Sequence, residues 1–156
     1  MKTKPHIKVS ATKLHLQNIL VPIDFSNNSR KAVGYAIPLA AQSGARITLL
    51  HVVGKTVVYP VEMSVVIPGE AQTVASAHKH LVALGRKLIP GPLQGKMLVH
   101  IGEPFDEITR LARRSKAGLI ICTTHGYTGL AHVLLGSTAE RIVRHAPCPV
   151  LTIKVR

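Results

Sequence analysis

Five short apolar runs, separated by segments of helical pattern, restrict this chain of 156 residues more than any other feature. They are "NILVPID" from Asn18, "RITLLHVV" from Arg46, "KMLVHIG" from Lys96, "GLIICTT" from Gly118 and "PVLTIKV" from Pro149. Each is close to continuously apolar, the pattern of a strand covered on both faces, where one-sided strands alternate. After the first run, Ser26 or Asn27 offers an N-cap, and "SRKAVGYAIPLAAQSG" places Ala32, Val33, Ala36, Ile37 and Ala40 on one helical stripe before stopping at Gly44. Pro38 lies inside that stripe and removes a backbone donor, so a kink or an early helix end is expected there. Residues 54 to about 70, rich in Pro and Gly among hydrophobics, read as an irregular excursion. A second helix is expected from about Glu70 to Leu88, followed by the connector "IPGPLQG". Glu103 and Pro104 open a third helix, with Phe105, Ile108 and Leu111 or Ala112 as its buried stripe, and Asp106 and Glu107 suit its N-terminal turn. A fourth follows Gly136.

Strands alternating with crossover helices imply parallel pairing and right-handed connections. The expected fold is α/β: a single open doubly wound five-stranded parallel sheet with helices on both faces. Ligands of such sheets sit outside the carboxyl ends of the strands, near the point where strand order reverses. That rule selects Asp24, Val52 to Gly54, and Thr123 to Gly126.

The length suits one core, so residues 18–156 are read as one domain preceded by a basic segment, residues 1–17. No apolar run reaches the roughly 18 residues of a membrane span, and "MKTKPHIKVSATKLH" lacks the apolar centre of a secretory signal; a soluble cytoplasmic protein with no membrane role is expected. Cys122 and Cys148 have no metal-ligand partner at finger spacing and are read as reduced thiols. His78 and His80, two apart, diverge on a helix and are not read as a metal site. Lys and Arg number 20 against 7 Asp and Glu, a formal net charge of +13, which favours polyanions. Aromatic residues are 3% of the chain with no Trp, which argues against base-stacking platforms.

Gly126, Gly129 and Gly136 open the backbone three times in an apolar stretch, and Ser137-Thr138-Ala139-Glu140 then matches the capping box. A helix starting there presents free N–H groups and the positive end of its dipole beside a glycine, a setting suited to phosphate. The same features are also ordinary devices of α/β folds, and neither the P-loop nor the dinucleotide glycine pattern is present. No catalytic constellation is readable, although His125 and His132 lie nearby.

From "NILVPIDFS" through "ITLLHVV" to "HGYTGLAHVLLGSTAERIVRHAPCPVLTI", the sequence resembles a universal stress protein domain over roughly Asn18 to Lys154. The resemblance implies a Rossmann-like sheet of the adenine nucleotide alpha hydrolase kind. Its nucleotide-binding branch carries Gly, two residues, Gly, nine residues, Gly, then Ser or Thr. Gly126, Gly136 and Ser137 fit that signature, and Thr123 stands where the first Gly is expected. Thr123 would narrow the site, weaken binding, or replace a backbone contact with a hydroxyl one. By resemblance, Asp24 bonds the ribose or adenine region and Val52 meets adenine through its backbone. Gly126, Gly136, Ser137 and Thr138 hold phosphates, and His125 shapes the loop. The implied ligand is ATP, or ADP or AMP, with Mg²⁺ on the phosphates, in a sensor that forms homodimers through the C-terminal strand. Two other readings remain open: an interaction domain that has lost nucleotide binding and engages an acidic partner or nucleic acid, and slow ATP hydrolysis or autophosphorylation near Ser137.

Overall fold

A computed structural model of the chain describes residues 16–55, 69–124 and 136–154. Its elements run β1 (Asn18–Pro22), α1 (Asn27–Ser43), β2 (Arg46–Val53), α2 (Glu70–Leu88), a 3₁₀ turn (Gly91–Leu93), β3 (Gln94–Ile101), α3 (Pro104–Arg114), β4 (Leu119–Thr123), α4 (Ser137–His145) and β5 (Val150–Ile153). The strands form one parallel sheet in the order β3-β2-β1-β4-β5. The chain starts in the middle, steps outward to β2 and β3, then crosses back to β4 and β5. The reversal falls between β1 and β4.

Both faces of this sheet are covered, which is why its strands are apolar throughout. Ile19 and Val21 of β1, Ile47 and Leu49 of β2, and Leu119 and Ile121 of β4 pack with Ala32, Val33, Ala36 and Ala40 of α1 and Leu81 of α2. The alternate residues Leu20, Leu50 and Ile120 pack on the other face with Ile108, Leu111 and Ala112 of α3 and Ile142 of α4. The alanines of α1 let that helix lie close to the sheet, and burial of each large aliphatic side chain contributes roughly 1.5–3 kcal/mol.

Helix α1 runs through Pro38 to Ser43 and ends at Gly44 (φ 72°), so the early end expected from the proline does not occur. Pro38 and Gly34, whose carbonyl the missing N–H would have bonded, both lie on the exposed side of the helix. Water can satisfy that carbonyl, and the exposed ring stays clear of the sheet-facing stripe. Strand β3 begins at Gln94, two residues before the expected run, because Gln94 pairs with Ile47 and its side-chain amide donates to the Ile89 carbonyl at 2.8 Å. Most of the excursion read at residues 54–70, 56–68, lies outside the described residues, as do His125, Gly126, Gly129 and His132.

Candidate functional site

The β1–β2 ladder pairs five positions, but the β1–β4 ladder pairs only Ile19 with Leu119 and Leu20 with Ile120. Beyond these pairs the carboxyl ends of β1 and β4 part, and a cleft of about 280 Å³ opens at the switch point. Asp24, Val52, Thr123, Gly136, Ser137 and Thr138 all line it. Four separate elements therefore bring six of the eight residues selected from sequence to one place.

Asp24 is held by the turn that carries β1 into α1. Its Oδ1 accepts from the Ser26 backbone N–H at 3.0 Å and from the Ser26 hydroxyl at 2.6 Å, an Asx-type turn. Ser26 in turn caps α1, its Oγ accepting from the Ser29 N–H at 3.1 Å. Phe25 between them adopts φ 63°, a left-handed conformation that costs a bulky residue about 1–3 kcal/mol. Packing holds it there: the Phe25 ring lies 4.4 Å from the His51 ring, and His51 Nδ1 donates to the Ile23 carbonyl at 2.7 Å.

Val52 contributes its backbone. The Leu50 carbonyl accepts from Ile23 N–H, on the β1 side, while the Val53 carbonyl accepts from Gly102 N–H, on the β3 side. Residues of a parallel strand alternate in this respect, so the N–H and C=O of Val52 point toward the β1 side, past the end of β1. A donor and an acceptor are thereby presented side by side at the cleft wall.

On the β4 side the Gly136 N–H donates to the Thr124 carbonyl at 2.7 Å, tying the start of α4 to the end of β4. A Cβ on Gly136 would sit 3.0 Å from that same oxygen. This contact moves the helix start. Gly136 is the N-cap of α4, its carbonyl accepting the Glu140 N–H at 2.9 Å, and no side chain caps the helix. The capping box expected at Ser137 is therefore not formed: Ser137 is the first helical residue, one position too late to cap. Glu140 instead pairs with Arg144 at 2.8 Å. Among the described residues, no side chain accepts from the N–H groups of the first turn, which lies at the rim of the cleft.

Asp24 is the sole carboxylate among the described lining residues, and no Lys or Arg is among them. Positive potential on that wall comes from the α4 dipole and its N–H groups. Cys122 also lines the cleft, but burial pushes its thiol up to about 11, and burial raises the half-buried Cys148 as well. Neither is a nucleophilic thiolate near neutral pH.

Several contributors escaped the sequence reading. Ser29, buried in the first turn of α1, lines the cleft, as does Pro104 at the start of α3. Glu107, expected only to favour a helix start, is a buried carboxylate that accepts from His100 Nδ1 at 2.9 Å and from the Arg110 guanidinium. Burial alone would raise its pKa; the bonds to Arg110 and His100 outweigh that and hold it below the usual value. Arg141 ties α4 to the first turn of α3, its guanidinium 4.1 Å from the Phe105 ring centre and 3.5 Å from Glu103.

The sequence pattern described as the universal stress protein family matches residues 15–154. The chain belongs to that family. A universal stress protein of Methanocaldococcus jannaschii is 34% identical over 146 residues, spanning 88% of this chain and 82% of that protein. Among solved structures, the universal stress protein UspA from Lactobacillus plantarum superposes with a TM-score of 0.69 at 23% identity, covering 90% of this chain and 99% of that one. The universal stress protein from Archaeoglobus fulgidus in complex with dAMP does so at 0.59 and 19%, covering 91% and 100%. Another universal stress protein, in complex with cAMP, gives 0.61 and 22%, covering 90% and 98%. These structures share the open parallel α/β fold with this universal stress protein.

Proposed function

We propose that the switch-point cleft binds an adenine nucleotide, ATP or the related ADP or AMP, and that the protein works as a nucleotide-responsive sensor in the cytoplasm. The observation that carries this reading is the pairing of two walls. An uncapped helix start at Gly136, Ser137 and Thr138 lines the same cleft as Asp24 and the outward-facing backbone of Val52. Phosphate suits the first wall through backbone N–H groups, with Ser137 free of a capping role. The donor and acceptor of Val52 suit the edge of adenine, and Asp24, already oriented by Ser26, suits a ribose hydroxyl. The complexes of relatives with dAMP and cAMP point to the same ligand class. In this assignment His125 and Gly126 complete the phosphate side, and Mg²⁺ is held by phosphate oxygens, Asp24 being the one carboxylate among the described lining residues. The domain is assigned to residues 18–156, with the basic residues 1–17 outside it.

Homodimerisation through β5 belongs to the same proposal. β5 is an edge strand, Leu151 on it is 37% exposed, and Val143 on the preceding helix is 48% exposed. An apolar edge of this kind is a template for pairing with a second copy.

The test is mass analysis of small molecules released on denaturing the purified protein, then calorimetric titration of ATP, ADP and AMP into the emptied protein. Recovery of an adenine nucleotide and saturable binding are expected, with Thr123→Gly raising affinity or leaving it unchanged. No released nucleotide and no heat at millimolar ligand would overturn the proposal.

A further inference from the structure

At the other end of the sheet lies a second, larger concavity of about 520 Å³, and no described residue lines both. It is built from Asn18 and Arg46, the first residues of β1 and β2, from Gly95 and Lys96 near the start of β3, and from the carboxyl end of α3, Arg114 and Ser115, and it extends along β3 to His100. Topology creates it. β3 is an edge strand, and Lys96, Leu98 and His100 alternate onto the face that α3 and α4 cover, but α3 packs inward against β2 and leaves a groove beside β3.

The charge of this groove is one-sided. Arg46, Lys96 and Arg114 line it, all three exposed, and no Asp or Glu is among its described lining residues. The acids of the neighbouring helices are already paired: Glu107 by Arg110 and by His100 at the far end of the groove, Glu103 and Asp106 by Arg141, and Glu140 by Arg144. None of the ion pairs among the described residues includes Arg46, Lys96 or Arg114. Uncompensated like charges that line one concavity repel each other and weaken the fold unless a polyanion joins them. The charge also continues along the sequence: the fifteen residues before Leu16, which lead into Gln17 and Asn18 of the groove, carry Lys2, Lys4, Lys8 and Lys13 and no acid.

We propose that this groove binds the phosphate backbone of single-stranded nucleic acid. Two guanidinium forks match phosphate oxygens in pairs. A concave channel admits one strand and excludes a flat membrane surface. Among the described lining residues the His100 imidazole is the one aromatic ring, so the groove holds the backbone without reading bases by stacking. Recognition is sequence-independent, and because the two concavities share no described residue it is additive with nucleotide in the cleft.

The experiment is fluorescence anisotropy with the full chain and a fluorescein-labelled oligouridylate of about 20 nucleotides, long enough to exceed the site of one small binding fold. The protein is compared with the triple variant Arg46→Ala, Lys96→Ala, Arg114→Ala. A second triple variant, Arg30→Ala, Lys31→Ala, Lys79→Ala, removes equal charge from exposed positions of α1 and α2. All six side chains are exposed, and circular dichroism checks that both variants fold. The groove variant is expected to bind at least about tenfold more weakly, with the log–log salt slope reduced by about 2, three phosphates at roughly 0.7 each. The α1 and α2 variant should change affinity less than about threefold, and saturating ATP should leave binding unchanged. Equal losses in both variants would mean diffuse attraction and overturn the site. So would absence of binding at low salt, or polyglutamate competing as well as unlabelled oligouridylate.

Discussion

Helices α1 and α4 both start at the carboxyl end of the sheet, on opposite faces, and their first turns are completed in opposite ways. α1 satisfies itself: Ser26 Oγ accepts the Ser29 N–H, and the Ser29 hydroxyl donates back to the Ser26 carbonyl at 3.1 Å. α4 has Gly136 at the equivalent position and no side-chain cap. Glycine in place of a capping side chain costs a helix only about a few tenths of a kcal/mol, so the open start is cheap to keep. An uncapped start facing a cleft is intelligible when a ligand supplies the missing acceptors, and the capped start then marks a helix whose first turn is structural.

The sharpest way to break that comparison is at Gly136. Valine there would place its Cβ 3.0 Å from the Thr124 carbonyl and add two γ-methyls to an already tight approach, so the first turn of α4 is expected to move away from β4. Nucleotide affinity in calorimetry should fall about a hundredfold or more, equivalent to roughly 2.8 kcal/mol. Gly136→Ala, which asks its neighbour to give only a few tenths of an ångström, should lose about tenfold, near 1.4 kcal/mol. Equal affinity in both variants would show that the helix start is not a ligand contact.

How much of this was legible in the sequence differs between the two helix starts for a physical reason. Ser26 announced itself because capping is local: the residue, the N–H it accepts and the apolar stripe lie within a few positions. At α4 the local signal misled. Ser137 and Glu140 have the capping-box spacing, but the start is fixed by Gly136 bonding Thr124, twelve residues back, and no local pattern encodes that contact. Strands and helices were readable because continuous apolar runs and helical stripes are periodic. Asp24 and Val52 were selectable as strand-end positions of a parallel sheet, and both line the switch-point cleft. Glu107 was not, since its burial depends on His100 from the neighbouring strand, and an acid in a first helical turn ordinarily faces water.

That carboxylate gives the third helix start its own solution. α3 also lacks a side-chain cap, but Glu107 in its first turn is anchored inward to His100 and Arg110, which fixes the turn that places Pro104 at the cleft. Glu107→Gln should lower stability at pH 7 by about 1 kcal/mol in urea unfolding, since the carboxylate is buried but its partner Arg110 is exposed and screened by solvent. The pH dependence has a definite sign. Burial opposes ionisation, yet Arg110 and His100 hold the folded carboxyl below its ordinary 4.5. Its contribution is therefore present above 4.5 and is lost as pH falls through the lower, folded value. The gap between the native protein and Glu107→Gln should narrow on acidification from about pH 7 to about pH 3, and a constant gap would show that the ion pair does not contribute.

The smallest effects divide capping from ligand binding. Ser26→Ala removes the Ser29 N–H acceptor and one of the two Ser26 donors to Asp24 Oδ1, so a loss of about 1 kcal/mol in unfolding free energy is expected. Ser137→Ala removes a hydroxyl that caps nothing and should change stability by less than about 0.5 kcal/mol. In nucleotide binding the order reverses only if the Ser137 hydroxyl itself reaches phosphate. With backbone N–H groups carrying the contact, Ser137→Ala should weaken binding less than about threefold, the scale of a small change at an otherwise intact site. A stability loss at Ser137 equal to that at Ser26 would show a capping bond at α4 and remove the contrast between the two helices. A large affinity loss with unchanged stability would keep the contrast and move the phosphate contact from the backbone to the side chain.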